Sequence, residues 1–379
     1  MKIVQICPRF LPYYGGIVTH VNELSKNLVK LGANVCVYTT DPNGLLPKED
    51  LKNGVKILRF RSYSINDFYF LAPRLYMELR KMKDVDVVHV HNYQDYCVLA
   101  ATLAKRKFKR PLVFTPHYHP SGGNELRTIV KKFYDYMLAK YFFKESDKII
   151  AVSKYEKKIL QEKFNISCQK IVYIPNGVTA LKNSACKSLS YIEGNLKDRT
   201  RTILYVGRLE KYKGVHFLIR AFSKVASTVK DCKLLVVGEG SYKSALISLS
   251  NRLKIRNKVF FLNHVNELEL TRLYLSSDIF IMLSQYEAFC IALAEAMGYG
   301  LPVIATKVGG ITELVGNDRG FLIEYPPDID ALAKIIIRLL KSPKLSQETG
   351  YKAKNYILSN FSWESIAKKH LDIYQQLIN

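Results

Sequence analysis

Short apolar runs rich in β-branched residues alternate with longer amphipathic stretches along almost the whole chain, and no other feature limits its fold so tightly. Lys2–Cys7 is followed by a stretch of helical period ending at Leu31, and then by a second apolar run at 34–40. Two strands separated by a helix-length segment pair through a crossover rather than a hairpin, so this rhythm builds βαβ units and a parallel sheet. Further strands are expected at 55–59, 85–90, 112–115, 148–152 and 171–174. The rhythm lapses over 181–201, where Lys, Asn, Ser and Asp occur without a sustained apolar period, as in a linker. It resumes at 202–206, 233–237, 258–262, 279–283, 302–305 and 320–323, which reads as a second doubly wound sheet. Beyond Lys344 the chain is helical, with a break near Phe361, Ser362 and Trp363 and a last helix over 364–377. The expected division is a first α/β domain over 1–180, a linker over 181–201 and a second α/β domain over 202–361. A terminal helix over 362–379 follows.

The 379 residues, 48% of them hydrophobic, suffice for two cores of ordinary size. Seven cysteines lie singly and without C-x-x-C spacing, which argues against a zinc site or a disulfide framework and suits a cytoplasmic protein. The apolar stretch after Met1 is too short for a signal-peptide core, and no uncharged run approaches the roughly 18 residues that span a bilayer. A soluble or peripheral protein is expected. The net charge of +24 favours anionic partners, whether phosphates, nucleic acid or an acidic membrane face. Zinc-finger spacing, a basic heptad region and an RNA-recognition signature are all missing, so a non-enzymatic nucleic-acid-binding protein is the weaker alternative and no specific nucleic acid is expected.

Several residues are placed for chemistry. The first strand ends at Cys7, and the loop after it closes with Gly15 and Gly16 directly before a helix, where backbone N–H groups can approach an anion. In the second half the strand at 279–283 leads through Ser284, Gln285, Tyr286, Glu287, Ala288 and Phe289 to a helix opening near Cys290 and Ile291. Arg208 and Lys213 follow the strand at 202–206, and a guanidinium fork with an ammonium is a common clamp for phosphate oxygens. Glu287 and Glu295 are suited to accept hydrogen bonds from sugar hydroxyls.

An ordered series of motifs carries a resemblance. It runs through Gly15-Gly16 with His20, His89-Val90-His91, Thr115-Pro116-His117, Pro175-Asn176-Gly177 and Gly207-Arg208 with Lys213-Gly214. It continues through Gly238-Glu239-Gly240, Glu287 to Glu295 with Ala296-Met297, and Gly300-Leu301-Pro302. In this order and spacing the chain resembles the retaining GT-B glycosyltransferases of family 4, also called glycosyl transferases group 1, over residues 2 to 377. The resemblance implies two Rossmann-like domains facing a central cleft and a nucleotide-diphosphate sugar held mainly by the second domain. It places Arg208 and Lys213 on the diphosphate, Glu295 on the ribose, Glu287 on the donor sugar and Gly16 at the phosphates. Gly15, Gly238, Ala288, Phe289, Cys290 and Ile291 line the nucleotide sugar, and His117 approaches its sugar from the first domain. The terminal helix crosses back onto the first domain. Two departures stand out, Cys290 where Gly or Pro is common and His264 where Gly is common, the latter at the base pocket.

The expected reaction is transfer of a sugar to a glycan, lipid or lipid-linked acceptor with retention, by departure and attack on one face. No cofactor or metal is expected. Asp84-Val85-Asp86 and Asp328-Ile329-Asp330 match the D-x-D metal pattern, but the first flanks a strand and the second starts a helix, where Asp serves as a cap. His89 and His91 on one strand face supply no third ligand and read as a strand-end pair. A nucleotide-sugar 2-epimerase of the same fold is the enzymatic alternative. The amphipathic stretch 126–143, with Arg74, Arg80, Lys81 and Lys83 upstream, would also suit a face resting on anionic lipid on the cytoplasmic side.

Overall fold

The computed structural model describes residues 1–13, 15–65, 69–118, 134–179, 200–263 and 265–379. Most of the expected linker, His119, His264 and residues 126–133 of the amphipathic stretch lie outside them. The chain divides into one unit of Met1–Gly177 with Trp363–Asn379 and a second of Val178–Ser362.

The strands of the first unit are β1 (Lys2–Cys7), β2 (Asn34–Asp41), β3 (Glu49–Lys52), β4 (Val55–Arg61), β5 (Tyr63–Ile65), β6 (Tyr69–Leu71), β7 (Val87–His91), β8 (Leu112–Thr115), β9 (Lys148–Ala151) and β10 (Ile171–Tyr173). Eight of them form a sheet in the order β10-β9-β8-β7-β1-β2-β4-β3, and β5 pairs with β6 separately. All pairings in the large sheet are parallel except β3 with β4. The helices are α1 (Gly16–Lys30), α2 (Pro73–Lys81), α3 (Tyr96–Phe108), α4 (Lys140–Glu145) and α5 (Lys154–Phe164).

Side chains alternate across a strand, and β1 shows what that does here. Val4 and Ile6 enter the core beneath α2 and α3, whereas Ile3 and Cys7 enter the opposite core, shared by α1 and the terminal helix Trp363–Ile378. Trp363, Ile366, Ala367 and Tyr374 of that helix are buried there with Val21, Leu24 and Leu28 of α1. Three strands were not expected from the sequence. β3 consists of Glu-Asp-Leu-Lys, exposed at every position, and pairs only along one edge, so it has no apolar alternation to reveal it. β5 and β6 have three residues each. Asp135–Ala139 forms a π-helical turn leading into α4.

In the second unit β11 (Arg201–Val206), β12 (Cys232–Val237), β13 (Val259–Leu262), β14 (Ile279–Met282), β15 (Val303–Thr306) and β16 (Phe321–Ile323) form a parallel sheet in the order β13-β12-β11-β14-β15-β16. The helices are α6 (Val215–Thr228), α7 (Lys243–Arg252), α8 (Glu267–Ser276), α9 (Ile291–Gly298), α10 (Ile311–Val315), α11 (Ile329–Lys341) and α12 (Pro343–Asn360). The strand order reverses between β11 and β14, and in such sheets the crevice beyond the carboxyl ends at that point is where ligands bind. No helix among the described residues is long and apolar enough to cross a membrane.

Candidate active site

The switch point of the second sheet carries the charged residues singled out above. Tyr205, the next-to-last residue of β11, donates its hydroxyl to Arg208 O at 2.9 Å and fixes the start of the following loop. That loop tightens into a 3-10 turn at Lys211–Lys213 and closes on Gly214, which has φ +71°. A Cβ there would lie 2.0 Å from Leu283 O, so only glycine lets the loop cross the end of β14 this closely. Gln285 N donates to Tyr212 O at 2.7 Å, joining the two loops through the backbone.

This crossing brings Lys213 to Glu287. The ammonium donates to Glu287 Oε1 at 2.5 Å, and Ser284 Oγ donates to the same oxygen at 2.8 Å. The two side chains are 14% and 9% exposed. Burial is the largest influence on Lys213 and disfavours its charge, but Glu287 together with Tyr212, Tyr205 and Cys290 outweighs burial and holds the ammonium above its ordinary range. Arg208 is exposed and donates from Nη2 to the Tyr212 hydroxyl at 2.5 Å. The Tyr212 ring lies flat on Tyr286, with centroids 4.6 Å apart and planes 4° from parallel.

The backbone of Glu287 is clamped from the other side. Gly310 N donates to Glu287 O at 3.1 Å, and a Cβ on Gly309, at φ +52°, would lie 1.9 Å from that oxygen. Gly309 and Gly310 were not singled out in the sequence, although a Gly pair between a strand and a helix repeats the signal at Gly15 and Gly16. Ala288, Phe289 and Cys290 are buried, and Ile291 opens α9. Cys290 takes φ +78°, a left-handed conformation that accounts for Gly being usual there. It provides no side-chain cap, so the first N–H groups of α9 keep their affinity for an anion. Glu295 lies farther along α9 and accepts from Tyr274 Oη at 3.0 Å. It thus has a partner of its own, distinct from those of Glu287. Gly238 N donates to Leu262 O at 2.8 Å at the end of β12.

In the first unit α1 begins at Gly16 behind an N-cap, Gly15, that again offers no side-chain bond. The fourth residue after Gly16 is His20, fully buried, whose Nδ1 bonds Asn176 Oδ1 at 2.7 Å. His91 Nε2 bonds Gln5 Oε1 at 2.6 Å, and His89 lies between Tyr374 Oη at 2.6 Å and Thr115 Oγ1 at 2.8 Å. Burial pushes His20, His89 and His91 well below the usual imidazole range. His117 follows β8 at φ +48°, with its ring centroid 5.0 Å from that of His20. Among the described residues His89, held at both ring nitrogens, joins no ligand group with His91, but His91 meets histidines from two other elements. His20, His91 and His117 present ligand atoms all within 4.8 Å of one another. Strand periodicity sees only neighbours on β7, while α1 lies across the sheet and supplies His20.

Three of the four D-x-D carboxylates have structural partners. Asp86 accepts from Lys2 N at 2.7 Å, Asp328 accepts from Ala331 N at 2.7 Å as the cap of α11, and Asp330 pairs with Lys224 at 2.5 Å.

Residues 191–356 match the family model described as glycosyl transferases group 1, and residues 14–180 match that of glycosyltransferase family 4. An uncharacterised glycosyltransferase of Methanocaldococcus jannaschii is 30% identical over 99% of this chain and 98% of its own. The chain belongs to the group 1 glycosyltransferases. This glycosyltransferase has the GT-B fold, each unit contributing one Rossmann-like sheet. Sucrose-phosphate synthase from Thermosynechococcus elongatus superposes with a TM-score of 0.81 at 21% identity, over 99% of this chain and 98% of that one. Anabaena HepE, in complex with UDP-glucose, superposes with a TM-score of 0.79 at 20% identity over the whole of both chains.

Proposed function

We propose that this glycosyltransferase takes a nucleotide-diphosphate sugar as donor and transfers its sugar to a hydroxyl of a glycan, lipid or lipid-linked acceptor, with retention and without a metal ion. The observation that carries the reading is the buried Lys213–Glu287 pair next to the uncapped start of α9, at the switch point between β11 and β14. A diphosphate suits the N–H groups of α9 together with Lys213 and Arg208. Glu287 is then beside the phosphates, where a carboxylate accepts from donor-sugar hydroxyls, and Glu295 takes the ribose. By the family resemblance Gly16 serves the phosphates and His117 the donor sugar.

In the reaction the bond from the anomeric carbon to the diphosphate oxygen breaks, and the acceptor oxygen bonds to the same face of that carbon. The acceptor proton passes to the departing diphosphate oxygen. Arg208, Lys213 and the helix N-terminus stabilise the charge developing on that leaving group, the role a divalent cation fills in other transferases. Basic residues in the last turns of α2 (Arg80 and Lys81) and α3 (Arg106 and Lys107) support attachment of the first unit to an anionic cytoplasmic membrane face.

The test is a panel of nucleotide sugars screened for thermal stabilisation, followed by acceptor trials in which the product anomer is assigned by NMR. Stabilisation by at least one nucleotide-diphosphate sugar and a retained anomer are expected. Turnover is expected to survive EDTA. Inversion, or donor isomerised without acceptor, would overturn the reading, the latter in favour of the epimerase.

A further inference from the structure

His20 comes from α1, His91 from the end of β7 and His117 from the segment after β8, yet their ligand atoms converge to within 4.8 Å of one another. Two of the rings have their protons fixed by amide oxygens. A carboxamide oxygen only accepts, so His20 Nδ1 donates to Asn176 Oδ1 and His91 Nε2 donates to Gln5 Oε1. Both rings are fully buried and neutral, which leaves the opposite nitrogens, His20 Nε2 and His91 Nδ1, as bare lone pairs. Both of these atoms are buried without a hydrogen-bond partner. A neutral imidazole oriented by an oxygen on its far nitrogen is the arrangement in which histidine binds metal. An unpaired lone pair in a dry interior is costly, and a cation relieves that cost at both atoms together.

We propose that His20, His91 and His117 form a binding site for a borderline-soft divalent cation of the zinc class, with His20 binding through Nε2 and His91 through Nδ1. Zinc–nitrogen bonds of about 2.0–2.1 Å set tetrahedral ligands about 3.3 Å apart, so on binding the three ligand atoms draw in from their present separations of up to 4.8 Å. Three nitrogens and no carboxylate exclude magnesium, which prefers oxygen. The site plays no part in the metal-free transfer. On the reading of His117 as a donor-sugar residue, an ion there withdraws its ring and inhibits the enzyme; the binding itself does not depend on that reading.

The full chain, stripped with EDTA and dialysed, is titrated with zinc chloride by calorimetry and with cobalt chloride by visible spectroscopy. One zinc per chain is expected, together with d–d absorption of cobalt bound to nitrogen and no uptake of magnesium. His20→Gln and His91→Gln should each weaken zinc at least about tenfold, while His216→Gln in the second unit leaves it unchanged. Absence of stoichiometric zinc binding by the unsubstituted chain overturns the proposal without reference to any variant. So does equal affinity in folded His20→Gln and His91→Gln. Zinc binding without loss of turnover supports the site and removes His117 from the donor.

Discussion

Lys213 and Glu287 are the side chains of the second unit whose separation should cost most. Each leaves the other buried and charged when removed, a loss of about 3–5 kcal/mol for pairs of this kind. Lys213→Ala should therefore lower stability and cut turnover at least about tenfold, since transition-state donors contribute roughly 2–4 kcal/mol. Lys213→Met combined with Glu287→Gln should recover part of the stability in urea denaturation while remaining inactive. Recovery of activity along with stability would show that the pair is only structural. Because the carboxylate raises the lysine, its contribution is complete below about pH 10.4 and is lost only as pH rises through the folded value. The pH profile of kcat should accordingly show no alkaline limb from Lys213 below about pH 10. The sequence marked both residues but not their contact, because 74 positions separate them and Gly214 has to cross Leu283 O for them to meet.

At the scale of elements, the start of α9 combines an unusual residue with an ordinary geometry. Cys290 is left-handed without being glycine, so its backbone is strained by about 1–2 kcal/mol. Cys290→Gly should keep fold and turnover, whereas Cys290→Val, branched at Cβ, should lower the melting temperature and weaken donor affinity. Equal behaviour of the two variants in a donor titration would show that the turn does not shape the phosphate site. α11 offers the contrast. Asp328 caps it through Ala331 N, so Asp328→Ala should cost about 1 kcal/mol and leave turnover and its indifference to EDTA unchanged. A new metal requirement or a large loss of turnover would put that D-x-D motif back in the chemistry. The main helices and parallel strands were legible because burial on both faces writes long apolar runs. β3 was not, since an exposed edge of four residues writes none.

Across the whole molecule, ionisable groups buried in the first unit make it the acid-sensitive one. Burial depresses His20, His89, His91 and His370, the last to about 4, and it raises Asp95 and Glu156 to about 7. The imidazoles stay neutral in the fold but take up protons once unfolded, so their contribution is present above about pH 6.5 and is lost as pH falls. The carboxyls act oppositely, favouring the fold as pH falls from about 7 towards 4. Four depressed imidazoles outnumber two raised carboxyls, so unfolding takes up protons on balance and the first unit loses stability as pH falls from about 6.5. Hydrogen-exchange protection of β1, β7 and β8 should fall over that range more steeply than that of β11 and β12. Parallel decline in both units would refute this account.

The sequence by itself determined two largely parallel α/β sheets, their strands other than the edge strand β3, and the charged residues at their carboxyl ends, because periodicity and strand-end chemistry are local properties. The tertiary structure alone decided which of those residues touch. Lys213 reaches Glu287 because two loops cross at a glycine, and His20 joins His91 and His117 because a helix packs over a sheet. Such contacts depend on how elements far apart in the chain are stacked, and a pattern read along the chain does not contain that distance.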